Sequence, residues 1–188
     1  MITAGLVLAA GAGRRYGMPK ALVPYRNRLL VRSAAATLSE AGCERTLVVL
    51  GARADEVRQA APDLPETVLN PDWATGMGSS LRTGLTTLSS DDSLTSVVVL
   101  LVDMPGVTAE AVRRITAHAA PDALVMGGYQ GRRGHPVLLG REHWAGVAAS
   151  ATGDRGARDY LRAHEVLVVE VGDVADDRDL DHPGDLDA

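Results

Sequence analysis

Four aliphatic runs constrain this chain most: GLVLAA at 5–10, TLVVLG at 46–51, SVVVLLV at 96–102 and EVLVVEV at 165–171. They are rich in Val and Leu rather than alternating with polar residues, as in strands covered on both faces. Shorter strand candidates lie at 66–69 (ETVL), 123–127 (ALVMG) and 135–139 (HPVLL). Amphipathic stretches between the runs predict helices at 30–41, 53–60, 78–89, 108–119, 141–148 and 155–163. Strand and helix taking turns in this way predict an α/β fold, a three-layer sandwich around a mostly parallel, mixed, Rossmann-like sheet. No repeat or linker divides the 188 residues, so one domain over 1–188 is expected.

Composition excludes several classes. A formal net charge of −5 argues against a nucleic-acid partner, which calls for a basic face. With no Phe, two Trp and four Tyr, the core must be packed by Leu, Val and Ala, and there is no aromatic platform for stacking bases. The single cysteine, Cys43, excludes an internal disulfide framework and a multi-cysteine metal site. The run at 97–102 is far shorter than the roughly 20 residues of a membrane span. At the N-terminus apolar residues precede the arginines, the reverse of a secretory signal, so a cytoplasmic protein without a membrane partner is expected.

The loop after the first run, LAAGAGRRYGMPKAL at 8–22, carries the chemistry. Gly11, Gly13 and Gly17 are spaced G-x-G-x-x-x-G, which fails the dinucleotide fingerprint. Gly51 and Ala52 occupy the tip of the second long run, where that fingerprint needs an acidic residue for a ribose. Lys20 follows Pro19 and precedes Ala21, so the G-K-[ST] of a P-loop is missing too. What remains is glycine backbone that a phosphate or base edge can approach, with Arg14, Arg15 and Lys20 supplying charge for a polyphosphate. A surface turn with solvated basic residues would have the same composition.

VLAAGAGRRYGMPKAL (7–22) resembles the signature L-A-A-G-x-[GS]-x-R-M-G-x-x-K of the MobA-like nucleotidyltransferases, and within them most the molybdenum cofactor cytidylyltransferases. Tyr16 stands where that family has Met. The resemblance implies a fold like that of the nucleotide-diphospho-sugar transferases. It also implies that Leu8, Ala9, Ala10 and Gly11 read a base with their backbone, with Gly13 in the same loop, while Arg15 and Lys20 hold the triphosphate and act in catalysis. A second match, NPDWATGMGSSL at 70–81, fits N-x-x-[WY]-x-x-G-[ML]-x-x-S through Asn70, Trp73, Gly76, Met77 and Ser80. It implies that Asn70, Gly76 and Ser80 close over the nucleotide, although a serine after a glycine turn also caps helices.

Asp103 follows the most apolar run directly, where the carboxyl end of a central strand faces the ligand crevice of an α/β sheet. Burying that charge is costly unless it meets a cation. The match to the family's D-M-P implies that Asp103 binds Mg²⁺. Residues 172–188 contain seven aspartates, and DLDHPGDL (179–186) resembles the family's D-[IV]-D-T-P-E-D-[LF], which implies Asp181 as second ligand. His182 and Gly184 depart from that pattern; Asp179 or Asp185 are alternatives, and a solvated acidic terminus has the same composition.

A G-x-P strand (Gly134, Pro136) and the loop GDRGAR (153–158) imply the pocket of a second substrate, with Arg133, His135, Asp154 and Arg158 as binding residues. A lone histidine is more often structural than catalytic, and Arg132, Arg133, Arg155 and Arg158 are equal candidates for a phosphate. Taken as a whole the resemblance implies Mg²⁺-dependent transfer of a nucleoside monophosphate to a phosphorylated acceptor, with pyrophosphate leaving. LAAG in place of LAGG leans toward CTP, which makes the acceptor a molybdenum-loaded molybdopterin and the partner a molybdoenzyme that receives the product. A GTP-using relative, another phosphorylated acceptor and a non-catalytic carrier of the finished cofactor stay open.

Overall fold

The long aliphatic runs become the strands of one sheet. The computed structural model describes residues 1–187. In chain order these form β1 (Ile2–Ala9), the two-residue strands β2 (Pro24–Tyr25) and β3 (Arg28–Leu29), α1 (Leu30–Glu40), β4 (Arg45–Leu50), α2 (Ala54–Ala60) and β5 (Glu66–Leu69). Next come α3 (Met77–Leu88), β6 (Leu94–Leu101), α4 (Ala109–Thr116), β7 (Leu124–Tyr129), β8 (Arg132–Gly140), α5 (Arg141–Ser150), α6 (Arg158–Arg162) and β9 (Leu167–Glu170). Seven strands share a sheet in the order β5-β4-β1-β6-β8-β7-β9, while β2 and β3 pair only with each other.

The runs that look uniformly apolar in sequence alternate in space. Val7, Ala9, Val48, Leu50, Val98 and Leu100 face the layer of α1, α2 and α4, where Val31, Leu38, Val57 and Ile115 meet them. Leu6, Leu8, Leu47, Val49, Val97 and Val99 face α3, α5 and α6, packing on Leu81, Leu85, Val147 and Leu161. Each fully buried leucine side chain contributes on the order of 2 kcal/mol through removal of apolar surface from water. The result is the three-layer α/β sandwich of the nucleotide-diphospho-sugar transferase type.

The sheet is mixed because of β8, which runs antiparallel to both β6 and β7; the β1·β4, β1·β6, β4·β5 and β7·β9 pairings are parallel. Gln130 (φ 53) and Gly131 (φ 85) alone link β7 to β8, and a two-residue connection with positive φ at both positions makes a hairpin. The helix expected over 155–163 is shorter than its sequence pattern. Gly153 (φ 51) and Gly156 (φ 53) bend the chain first, and α6 starts only at Arg158.

Two features of the fold position the site. Strands β4 and β5 add to one side of β1 while β6 starts the other side, so the carboxyl ends of β1 and β6 flank a topological switch point, where such sheets bind ligands. The acidic tail is docked rather than frayed. The N–H of Asp176 donates to the Gly106 carbonyl (3.0 Å), and the Leu180 side chain is buried against the α1/α4 layer.

Candidate active site

The glycine loop is built to close on itself. The Gly17 N–H donates to the Gly13 carbonyl at 2.8 Å, and Gly13 has a φ of +62°. A Cβ on Gly13 would lie 1.8 Å from the Met18 carbonyl oxygen, so no other residue fits there without moving the backbone. Gly11 is different: a Cβ there meets nothing within 4 Å, leaving open backbone at the cavity wall. The Ala10 carbonyl accepts from the Ala52 N–H (2.9 Å), which pins the loop's start to the tip of β4. Closure of the loop returns Lys20 to the end of the sheet.

There Lys20 meets two carboxylates from distant parts of the chain. Its Nζ donates to Asp103 Oδ2 at 2.7 Å and to Asp181 Oδ1 at 3.0 Å. Burial alone would lower the Lys20 ammonium, but Asp103 and Asp181 outweigh it and hold its pKa above the ordinary value. The hydrogen bond from Lys20 in turn holds the Asp181 carboxyl below the usual carboxylate range. Asp181 is the more open of the two acids, its side chain 43% exposed against 21% for Asp103, and Arg15 reaches it only at 3.9 Å. The Asp185 carboxylate braces the turn by accepting from the N–H groups of Asp181 and His182, both at 2.8 Å.

A cavity of about 510 Å³ opens over this cluster. Leu8, Ala10, Gly11, Gly13, Gly76 and Ser80 line it, together with Arg14, Arg15, Lys20, Asp103 and Asp181. Ala9, one residue back along β1, faces the other layer of the sheet and is buried in its core. Asn70 is also behind the wall. It is 1% exposed, and its Nδ2 donates to Ser79 Oγ (2.8 Å) and Ser80 Oγ (3.0 Å) while its Oδ1 accepts from the Asp72 N–H. Asn70 therefore acts on the cavity through Ser80, not by facing it.

A second cavity of about 360 Å³ adjoins the first, sharing Leu8, Met77, Leu101 and Asp179 with it. Its floor is apolar, including Val99, Met126 and Leu139, and Arg133, His135 and Arg158 stand at its wall. Arg132 is held by Asp177 and Arg155 by Asp159, whereas Arg133 and Arg158 have no ion-pair partner among the described residues. Burial holds the His135 imidazole at about 4, so the ring is neutral at neutral pH. Asp154, expected with this acceptor group, lies instead in the first cavity beside Gly76, because the Gly153 bend turns it toward α3.

Three residues that the sequence names in the motifs take more definite places in the structure. Trp73, part of the 70–81 match, lines the first cavity and lies over Gly51, where a Cβ would come 2.5 Å from the Trp73 Cβ. Asp179 borders both cavities, and burial together with the neighbouring Asp103 and Asp181 pushes its pKa up. Asp185, an alternative to Asp181 as ligand in the sequence, instead braces Asp181 by accepting from its N–H.

The pair Asp103 and Asp181 suits a hard divalent cation. Their oxygens already converge on one positive charge, and both are carboxylate donors. Among the described residues no group of three His, Cys, Asp or Glu side chains could hold a metal on its own. Magnesium fits such a site, since it takes one or two carboxylates and completes its shell with water and substrate phosphate.

A switch-point crevice with a glycine loop, a lysine and two converging acids belongs to the nucleotidyltransferase class. The chain is a member of the MobA-like NTP transferase family, whose domain matches residues 5–168. It is 38% identical to the nicotine blue oxidoreductase of Paenarthrobacter nicotinovorans, over 94% of this chain and 91% of that protein. The structure of Rv0371c from Mycobacterium tuberculosis H37Rv superposes with a TM-score of 0.87 at 29% identity, covering 100% of both chains. The same mycobacterial protein in complex with manganese gives a TM-score of 0.80 at 29% identity, over 96% of this chain and 94% of that one. No described helix is long and apolar enough to cross a membrane.

Proposed function

We propose that residues 1–188 act as one catalytic domain that transfers CMP from CTP to the terminal phosphate of molybdenum-loaded molybdopterin, with Mg²⁺ as metal, for delivery to a molybdoenzyme. The observation that carries this reading is the bridge of Lys20 between Asp103 and Asp181 beside an open glycine loop. Bound at those acids, Mg²⁺ would neutralise triphosphate oxygens as a Lewis acid. The backbone of Leu8, Ala10 and Gly11, with Ser80 opposite, holds the base, and Gly13 lets the loop wrap the phosphates. Lys20 and Arg15 neutralise charge on the triphosphate as it develops. Arg133, Arg158 and the neutral His135 seat the acceptor over the apolar floor. An acceptor phosphate oxygen attacks the α-phosphorus in line, the bond from that phosphorus to the β-phosphate's bridging oxygen breaks, and pyrophosphate leaves with both electrons. The attacking phosphate is already ionised, so positioning and charge neutralisation carry the rate.

The test is pyrophosphate release with CTP, GTP, UTP and ATP in turn, each with molybdenum-loaded molybdopterin and Mg²⁺. Release with CTP alone supports the reading, release with GTP moves the specificity, and no release with any nucleotide overturns it.

The name of the Paenarthrobacter relative supports a second reading, favoured by the continuity of the two cavities through Leu8, Met77, Leu101 and Asp179. A reduced nicotinamide dinucleotide in the first cavity would pass a hydride to a flat acceptor in the second. The missing dinucleotide fingerprint weighs against it. Loss of nicotinamide absorbance with a dye acceptor, in place of pyrophosphate release, would establish it.

A further inference from the structure

The Lys20 ammonium occupies the point at which the two acids of the site converge. Its Nζ is 2.7 Å from Asp103 and 3.0 Å from Asp181, and among the described residues no other cation comes as close to either acid, Arg15 standing 3.9 Å from Asp181. The backbone that carries each acid is held in place. The Leu180 N–H is bonded to the Asp103 carbonyl, and Asp185 holds the Asp181 turn. Lys20 is the mobile partner: its backbone is fixed in the short turn Lys20–Leu22, but its four-carbon stem ends in a single freely rotating charge. The open cavity carrying Arg14, Arg15 and the Gly11 backbone lies beside it.

We propose that Lys20 is a resident counter-ion that gives up its place to the divalent metal only when a triphosphate arrives to receive the ammonium. Two positive charges cannot share the point between Asp103 and Asp181, so a metal entering alone must displace Lys20 into a cavity already holding two arginines. A triphosphate in that cavity supplies phosphate oxygens for the displaced ammonium. Metal and nucleotide therefore bind with positive coupling, and each raises the affinity of the other by the same factor. Without nucleotide the site resists metal, which keeps the two acids neutralised and the crevice preformed. This inference rests on the nucleotidyltransferase reading, but concerns binding rather than turnover.

The experiment measures protein-bound Mn²⁺ by equilibrium dialysis, as the excess of metal on the protein side, without nucleotide and at saturating CTP, for the full chain and for Lys20→Met and Lys20→Arg. Far-UV dichroism and melting curves verify that each variant is folded. Lys20→Met should bind Mn²⁺ alone at least about tenfold more tightly than the unaltered chain, the scale set by about 1.4 kcal/mol. CTP should then add less further tightening than it does in the unaltered chain. Lys20→Arg, which keeps a cation, should bind Mn²⁺ alone as weakly as the unaltered chain. The double variant Lys20→Met/Asp103→Asn should lose the gain. A folded Lys20→Met that binds Mn²⁺ no more tightly than the unaltered chain, when that chain does bind Mn²⁺ with CTP, overturns the exchange and leaves the nucleotidyltransferase reading intact. Absence of Mn²⁺ binding in every protein, with and without CTP, overturns both.

Discussion

The backbone N–H of Leu180 donates to the carbonyl of Asp103 across 2.9 Å, and this bond ties the acidic tail to the end of the central strand. It sorts the tail aspartates into separate tasks. Asp181 enters the crevice beside Lys20, Asp177 pairs with Arg132, and Asp176 pairs with Arg178. A stretch whose composition would also suit a solvated terminus thus supplies half of the carboxylate pair.

The Asp185 carboxylate is the brace of that arrangement, and hydrogen bonds from the His182 and Asp181 N–H groups hold it below the usual carboxylate range. Asp185→Ala should leave the sheet folded but free the turn that aims Asp181. Apparent Mn²⁺ affinity in the presence of CTP should fall about 10- to 100-fold, the usual consequence of losing a support behind a metal ligand. Calorimetric titration checks this, and an unchanged affinity would remove Asp185 from the site.

Gly11 and Gly13 separate folding from binding. Gly13→Ala places a Cβ against the Met18 carbonyl in a left-handed backbone position and should lower stability by about 2 kcal/mol or more. Gly11→Ala meets no atom within 4 Å, so its melting temperature should stay unchanged while its new methyl group enters the cavity and weakens CTP binding. Paired melting curves and CTP titrations of the two variants give the comparison.

Much of this was legible because Val and Leu runs mark strands without specifying direction. Among the described residues all seven strands of the main sheet and all six α-helices fall on segments the pattern marks, with shifts mainly at their ends. Strand direction was not legible: the reversal of β8 depends on a turn at Gln130 and Gly131, inside what reads as a longer loop. The β2/β3 pair also escaped, since Arg26 (φ 48) and Asn27 (φ 64) make its turn and arginine carries no turn signal. In the site, the family resemblance implies one chemistry for Lys20, Asp103 and Asp181 but says nothing about side. That is why Asp154 falls in the other cavity and why Asn70 serves Ser80 from behind.

The four arginines near the second cavity, equal in sequence, divide by their partners. Arg132 and Arg155 are committed to Asp177 and Asp159, while Arg133 and Arg158 keep their donors available. Arg133→Ala and Arg158→Ala should each raise the KM for the acceptor about tenfold or more, the worth of a charge-assisted hydrogen bond, with the KM for CTP unchanged. Arg155→Ala, at an exposed pair, should change neither by more than about twofold. Steady-state kinetics with each substrate varied in turn separates these outcomes.

Lys20→Ala should lower kcat by about 10²–10³, the scale of removing one electrostatic stabiliser of developing charge. It should also change the alkaline side of the stability profile. Because Lys20 is raised by its acids, its contribution is complete below its ordinary value near 10.5 and is lost as pH climbs through the higher folded value. Melting curves taken upward from pH 9 should decline in both proteins through Cys43 and Tyr129, each raised to about 12, and above about pH 10.5 the unaltered chain should fall more steeply than Lys20→Ala.

The acid side of the profile belongs to His135. Its folded pKa is about 4, against roughly 6.5 for an exposed imidazole. Between those two values the unfolded chain takes up a proton that the folded chain refuses, so stability should fall as pH drops from about 6.5 to about 4. Asp181 and Asp185 act in a different window. Lys20 lowers the first and backbone N–H groups the second, so their contributions are present above the ordinary value of 3.8 and disappear only as pH falls below it. Asp179 has the opposite sign, because a raised carboxyl gains a proton in the folded chain first and offsets part of the decline. The difference between the unaltered chain and His135→Gln removes that offset, since Asp179 is common to both. His135→Gln should lose less of its melting temperature than the unaltered chain from pH 6.5 to 4, and the two should run parallel below pH 4. Equal slopes across the upper window would mean that His135 is protonated as readily in the folded chain as in the unfolded one, and that the neutral imidazole at the second cavity is not what seats the acceptor.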